Sequence, residues 1–105
     1  MTENIDYRVT VSDAALAMLD SHIEFLARVS VQAAENLMNE ILDDIESLIH
    51  FPERFSLFES EFIPDGRYRK MLSAKRYLIL YEIDRNDVCV DYIVDCRQDY
   101  EWLLL

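Results

Sequence analysis

The fold is decided by residues 67–94, RYRKMLSAKRYLILYEIDRNDVCVDYIV. Two runs inside this stretch, residues 76–83 and 88–94, alternate their side chains with a period of two, which is typical of β-strands buried mainly on one face. The side chains that share the apolar face are Tyr77, Ile79, Tyr81 and Ile83 in the first run and Val88, Val90, Tyr92 and Val94 in the second. The polar residues 84–87 between the runs favour a tight turn, so the two strands are predicted to pair antiparallel.

The N-terminal half predicts one strand and two helices. Residues 7–12 alternate apolar and polar side chains, as in a short strand. From Asp13 the apolar residues recur at spacings of three and four, the period of a helix, and Ser12 is suited to cap its start. Ser30 is suited to cap a second helix, which the apolar pattern extends to about Ile49. Because the link between the helices is short, they are predicted to form a helical hairpin.

An aromatic-rich connection joins the second helix to the strands. Phe51-Pro52 ends the helix. Large apolar side chains follow at Phe55, Leu57, Phe58 and Phe62. Such a segment is more typical of a cap over the open edge of a core than of a partner-binding surface. Turn-forming residues 64–66 then lead into a third strand, residues 67–73, which turns into the next strand through residues 74–75.

This order of elements predicts an α+β fold, β-α-α-β-β-β. We expect the N-terminal strand and the helical hairpin to pack on one face of an antiparallel sheet. A chain of 105 residues has the size of one domain, so residues 1–105 are predicted to form a single domain.

Composition excludes several classes of site. Cys89 and Cys96 would lie ~23 Å apart on opposite faces of an unbroken strand, so no disulfide is predicted between them. His22 and His50 stand alone, without cysteine or histidine at metal-ligand spacing, so no metal is predicted. Gly66 is the only glycine, which excludes a glycine-rich phosphate loop, and no cofactor is expected. Because no signal peptide or membrane-length apolar run is present, the chain is predicted to be cytoplasmic and to have no membrane partner.

Charge is distributed unevenly along the chain. The formal net charge is -11, and residues 1–66 and 77–105 carry -11 and -5, whereas residues 67–76 carry +5 and no acid. The five cations, which we call the basic strip, are Arg67, Arg69, Lys70, Lys75 and Arg76. The overall acidity opposes general affinity for nucleic acid, but a basic strip within an acidic surface attracts anions to one place.

Four segments in fixed order carry a resemblance to a known family. They are YRVTVSDAALAML (residues 7–19), SVQAAENLMNEILDDIESLIHFPERF (30–55), YRKMLSAKRYLILYEI (68–83) and IVDCRQDYEWLL (93–104). With them the chain resembles the RelE/ParE superfamily, the toxin halves of bacterial type II toxin–antitoxin pairs, over nearly its whole length. The fold that the resemblance implies agrees with the one predicted from periodicity.

The resemblance implies one of two activities. One branch of the superfamily binds the ribosome and cuts messenger RNA without a metal, using basic side chains and a tyrosine. The other branch inhibits DNA gyrase and performs no known cleavage. Metal-free RNA cleavage needs a proton acceptor for the 2′-hydroxyl, positive charge around the phosphorane and a proton donor for the leaving oxygen.

Candidate site residues follow from matching this chain to the cutting branch. The predicted catalytic residues are Arg69, Arg97 and Tyr100, and the predicted substrate-binding residues are Arg67, Lys70, Lys75 and Arg76. Two positions depart from the branch pattern: Leu78 stands where a basic residue is common, and Asp95 stands where many members have histidine. The alternative interpretation of the basic strip is an exposed strand edge, where cations discourage aggregation.

Strand alternation limits how many of these cations serve one site. Arg69 is predicted to share a strand face with Arg67 and Met71, whereas Lys70 faces the other way. Not all of the basic strip can therefore contact one phosphate.

The sequence favours ribosome-dependent messenger RNA cleavage as the activity, because of the basic strip and Arg97. The acidity and Leu78 favour the alternative, a gyrase inhibitor or a non-toxic member that acts as a binding partner. The implied partner is a cognate antitoxin, and an acidic antitoxin segment would suit the basic strip. The last four residues, 102–105, offer apolar surface that packs inside or receives this partner. The sequence leaves a homodimer open.

Overall fold

The computed structural model describes residues 6–59 and 66–96, and its elements follow the predicted order. The strands and helices are β1 (Arg8–Val11), α1 (Asp13–Ala27), α2 (Val31–Glu46), β2 (Arg69–Ser73), β3 (Tyr77–Asp84) and β4 (Asp87–Asp95). Two short 3-10 helices, Ser47–Ile49 and Pro52–Arg54, lie between α2 and β2. The second predicted helix therefore divides into α2 and a tighter final turn.

Both predicted helix caps are present. The Ser12 hydroxyl oxygen accepts a hydrogen bond from the Ala15 N–H at 3.0 Å, and the Ser30 hydroxyl oxygen accepts one from the Ala33 N–H at 3.1 Å. Each satisfies one of the backbone donors that the first turn of a helix leaves unpaired. The Ser12 hydroxyl also donates to the Asp91 carbonyl at 3.0 Å, which fixes the start of α1 against β4.

The strands form one sheet in the order β1-β4-β3-β2. β2 pairs with β3, and β3 with β4, in the antiparallel manner predicted for the three later strands. β1 pairs with β4 in parallel, with Val9 opposite Val88, so the complete sheet is mixed. The helical hairpin makes the crossover from β1 and packs on one face of the sheet.

Apolar side chains are buried on both faces of the sheet. The helix face holds a core that includes Leu19, Ile41, Leu48, Ile79 and Val90. The opposite face holds a smaller core of Phe58, Tyr68, Leu78, Leu80 and Val94. The prediction that β3 is buried mainly on one face is therefore wrong, because the connection after α2 covers its second face. Phe58 acts as the predicted cap, and Phe62 lies outside the described residues.

A β-bulge at Asp91 changes which side chains of β4 share a face. Leu80 pairs with Tyr92 and Tyr81 pairs with Val90, so Asp91 is an extra residue in β4. Val90 therefore faces the helices, whereas Tyr92 packs with the opposite core. The prediction that four alternating residues of β4 share one face is wrong at this point.

The bulge also changes the geometry of the two cysteines. The expectation of opposite faces assumed an unbroken strand, and the extra residue brings Cys89 and Cys96 to the same face, opposite the helices. Both cysteines are free thiols, as predicted.

Candidate functional site

Arg69, a predicted catalytic residue, is the first residue of β2 and is partly buried. Its Nη1 donates to the main-chain carbonyl of Phe55 at 2.6 Å and to that of Glu53 at 3.1 Å. A β-bridge between Arg69 and Leu57 joins the same two segments through the backbone. The guanidinium therefore holds the segment that follows the second 3-10 helix against the edge of the sheet.

Arg67 has a different partner. Its Nε lies 3.2 Å from Glu82 Oε2, and its guanidinium carbon lies 5.1 Å from the centre of the Tyr68 ring. The hydrogen bond that Arg67 donates to Glu82 raises the pKa of Arg67. Tyr68 in turn donates to Asp91 Oδ2 at 2.7 Å, and burial together with this bond raises its pKa far above the ordinary value of tyrosine. Arg67 and Arg69 thus direct their charged groups to separate partners.

Arg76 pairs with the carboxylate of Asp95, the residue that departs from the pattern expected from the resemblance. Its Nη2 lies 3.2 Å from Asp95 Oδ2 and 3.1 Å from the Tyr77 hydroxyl oxygen, to which it donates. The Asp95 side chain is 0% exposed and that of Arg76 is 38% exposed. A buried carboxylate is costly without a cationic partner, so the anion at position 95 is matched by the cation at position 76.

Lys70 and Lys75 are exposed, as is Arg67. Lys70 alternates with Met71 on β2 and so points away from the helices, beside the exposed Leu72. Lys75 lies in the β2–β3 turn with a positive φ of 67°. Within residues 6–59 and 66–96, neither ammonium group forms an ion pair.

The structure therefore does not gather the basic strip around one point. Arg67 binds Glu82, Arg69 binds main-chain carbonyls and Arg76 binds Asp95. The other two predicted catalytic residues, Arg97 and Tyr100, lie outside the described residues.

Cys96 follows the buried carboxylate, and its N–H donates to the Arg76 carbonyl at 2.8 Å. Burial, with a further contribution from the Asp95 charge, raises the pKa of its thiol. A thiol held in its protonated form is a weak nucleophile, so the surroundings of Cys96 favour a structural role over a reactive one.

Two grooves lie beside the helical hairpin. One, of about 450 Å³, lies between α1 and α2. The other, of about 300 Å³, lies between the hairpin and the β2–β3 turn, and Asn36, Glu40 and Arg76 are its polar lining residues. The only sequence signal for the first groove is that the apolar stripe of each helix is wider than one packed face requires.

The described part of the chain offers neither a metal-ligand cluster nor a membrane-spanning helix. It contains no group of three or more histidine, cysteine or acidic side chains able to hold a metal ion. No helix in these ranges has the length and apolar character needed to cross a bilayer.

The sequence of residues 9–100 matches the family model described as the ParE toxin of the type II toxin–antitoxin system parDE. The chain belongs to the ParE toxin family. The match runs from β1 through β4 and continues beyond the described residues to position 100. A cognate antitoxin is the partner that membership of this family implies.

The fold of this ParE-family chain is also found among solved structures. It is similar to a chain of the structure titled "Chromosomal ParDE TA system from P. aeruginosa", with a TM-score of 0.70 and 13% sequence identity. The likeness covers 85% of this chain and 95% of that chain, and at this identity it supports the fold. No curated protein sequence matches the chain.

Proposed function

We propose that this chain is the toxin of a ParE-type pair and that it acts by binding a protein target, DNA gyrase, without cutting RNA. The observation that carries the proposal is the set of internal partners of the basic strip. Arg67, Arg69 and Arg76 are each held by groups of the same chain.

The chemistry of RNA cleavage explains why those partners matter. A metal-free nuclease stabilises the phosphorane with cations that are free to move toward it or are already directed at it. Arg76 beside a buried carboxylate contributes less net charge to a phosphate, because Asp95 cancels it locally. Releasing Arg76 would remove the cation that lies beside this buried carboxylate, which adds a cost to any catalytic use of Arg76.

Messenger RNA cleavage on the ribosome is the second candidate, and one observation favours it. Lys70 and Lys75 are exposed cations without ion pairs inside the described ranges. In this candidate, Arg69, Arg97 and Tyr100 take the catalytic roles and the lysines contact the RNA backbone.

The test is induction of the chain in cells without its antitoxin, followed by pulse-labelling of DNA and protein synthesis. Gyrase inhibition predicts that DNA synthesis falls first, and the purified chain then inhibits supercoiling by gyrase. An early collapse of protein synthesis with normal supercoiling would contradict the proposal and support RNA cleavage.

A folding-deficient variant provides the control. Ile79 is fully buried in the helix-face core, so Ile79→Asp is expected to abolish the fold and every folded-state activity. An effect on synthesis that persists with this variant would come from overexpression and not from the toxin.

A further inference from the structure

Phe51 combines an exposed aromatic side chain with an unfavourable backbone conformation. Its φ and ψ angles are 48° and 56°, in the left-handed region. A residue in this region at the end of a helix is usually glycine or asparagine, because a Cβ atom is crowded there. Phe51 also precedes Pro52, and the residue before a proline prefers an extended backbone. The chain therefore has a large ring at a position where a smaller residue would be more stable.

The Arg54 guanidinium holds Phe51 in this conformation. Its Nη1 donates to the carbonyls of Phe51 at 3.1 Å, Ser47 at 3.3 Å and His50 at 2.5 Å. Its Nη2 donates to the Ser47 hydroxyl oxygen at 2.8 Å, and the Arg54 main-chain N–H donates to the Phe51 carbonyl at 3.1 Å. A strained residue persists only where surrounding contacts fix it in this way.

Two side chains of the sheet fasten the rest of this loop. The Tyr81 hydroxyl donates to the Pro52 carbonyl at 2.6 Å, and Arg69 Nη1 donates to the carbonyls of Glu53 and Phe55 at 3.1 Å and 2.6 Å. The loop is thus held through its main chain from several directions. A loop that is already fixed loses little conformational entropy when a partner binds to it.

The Phe51 ring adds little to the folded chain in return for this strain. It is 75% exposed, and among the described residues it packs against neither core. A single exposed apolar side chain is common on protein surfaces. An exposed ring on a strained and clamped backbone is different, because strained residues cluster where a protein contacts its ligand.

We propose that Phe51 is the anchor residue with which this chain binds its target protein, and that the ring enters an apolar pocket on that target. Aromatic anchors in desolvated pockets carry much of the binding energy of protein interfaces. The inference rests on the proposed function in taking a protein as the target of the toxin.

The charges around the exposed ring favour a protein over a nucleic acid. A protein that stacks aromatic side chains on unpaired bases surrounds them with cations. Here Glu53 accepts a hydrogen bond from the Tyr7 hydroxyl at 3.2 Å, and Asp6 lies 3.2 Å from His50, so two carboxylates adjoin the loop. The guanidinium of Arg54 is directed at carbonyls. A phosphate backbone is therefore not attracted to this surface.

The test uses the purified full chain with two readouts, the midpoint of thermal unfolding and the concentration that half-inhibits supercoiling by gyrase. Phe51→Asn removes the ring and relieves the strain, so the midpoint should rise by about 2–6 °C. The inhibitory concentration should rise at least about tenfold, because the anchor is lost. A variant that becomes more stable and less active cannot owe its loss of activity to unfolding.

Phe25→Asn is the matched control. It removes another exposed ring, 67% exposed, from the regular backbone of α1. We expect it to change the inhibitory concentration by less than about threefold. Unchanged inhibition by Phe51→Asn, or an equal loss in both variants, would overturn the proposal. A lower unfolding midpoint in Phe51→Asn would also overturn it, because the ring would then stabilise the fold.

Growth arrest of induced cells separates this inference from gyrase inhibition. If the wild-type chain does not inhibit gyrase, the proposed function fails and Phe51 is scored by growth arrest alone. Arrest that Phe51→Asn abolishes and Phe51→Leu retains supports an apolar pocket on another protein. Arrest lost in both variants indicates stacking on a base and overturns the proposal. Full arrest by Phe51→Asn, or no arrest by the wild-type chain, overturns it as well.

Discussion

At the scale of single residues, the departure of Asp95 from the expected pattern has a structural explanation. An anion cannot take the cationic role that the resemblance implied for this position, but its carboxylate lies 3.2 Å from the Arg76 guanidinium and is fully buried. A fully buried carboxylate is stable only with a hydrogen-bonding or cationic environment. The Arg76–Asp95 pair therefore has a structural role, which is to stabilise the sheet.

Replacing Arg76 with alanine is expected to lower the free energy of unfolding by about 2–3 kcal/mol. This is below the range for fully enclosed pairs, because the Arg76 side chain is 38% exposed and water already reaches it. Urea denaturation measures the change. Lys75→Ala, which removes the neighbouring exposed cation, serves as the control and should change the free energy of unfolding by less than about 0.5 kcal/mol.

The double variant Arg76→Ala with Asp95→Asn extends this prediction. Removing the buried charge together with its partner should recover part of the stability lost in Arg76→Ala. A double variant that is as unstable as the sum of the two single variants would show that the two groups do not interact.

Ionisation of Tyr81 is expected to destabilise the folded protein at alkaline pH. Its hydroxyl donates to the Pro52 carbonyl at 2.6 Å, and burial raises its pKa to about 12. Because the folded state holds this proton more tightly than the unfolded state, the stabilisation is complete below pH ~10 and is lost as pH rises toward 12. The slope for one such group is at most about 1.4 kcal/mol per pH unit.

Urea denaturation between pH 8 and pH 11 tests the role of Tyr81. Tyr81→Phe removes a hydrogen bond at every pH, but it should also make the alkaline decline shallower, since its proton no longer contributes. Tyr68, whose pKa is raised as well, still contributes to the decline of the free energy of unfolding with rising pH in this variant. Identical slopes in the two proteins would contradict the assignment to Tyr81.

At the scale of elements, the β2–β3 turn holds two residues in the left-handed region. Ala74 and Lys75 have φ values of 51° and 67°, and the Arg76 N–H donates to the Ser73 carbonyl at 3.2 Å across the turn. A two-residue hairpin turn with positive φ at both positions matches the twist of the strands but favours asparagine and glycine. Residues with a Cβ atom are strained there.

Lys75→Gly is expected to raise the free energy of unfolding by about 0.5–1 kcal/mol, because relief of strain exceeds the added flexibility of the unfolded chain. Lys70→Gly is the control, since glycine within β2 should lower stability. Both variants lose one exposed cation. If Lys75→Gly is more stable but not toxic, the Lys75 ammonium group itself contacts the target.

Most of the helices and strands could be predicted from local sequence patterns. The features that the sequence did not reveal depend on contacts between residues far apart in the chain. The caps at Ser12 and Ser30 and the strand character of β3 depend on residues within a few positions of each other, so the sequence displays them directly. The bulge at Asp91 has no such signal, because one extra residue in a strand leaves the composition unchanged.

The same distinction explains the candidate site. Alternation correctly separated Lys70 from Met71, but the carbonyl and carboxylate partners of the arginines lie at least fourteen positions away in the chain. Arg69 binds carbonyls, and no residue type identifies a carbonyl acceptor in advance. The role of Asp95 required knowing that its strand ends beside Arg76.

At the scale of the whole molecule, negative charge is concentrated on the helical hairpin. The helical hairpin carries eight acids but buries its apolar faces against the sheet, so its charge lies on the outside. The basic strip, in contrast, is tied into the chain by its arginines. The strongest unbalanced field of the described residues is therefore negative and belongs to the hairpin.

The parallel pairing of β1 with β4 sets the order in which this protein can be completed during synthesis. Arg8 and its partner Asp87 are 79 positions apart, so β1 leaves the ribosome well before the strand that it pairs with. At ordinary elongation rates this delay is about 4–16 s. Until β4 emerges, the sheet lacks the strand that lies between β1 and β3. A nascent chain therefore cannot complete its sheet until the last strand is made.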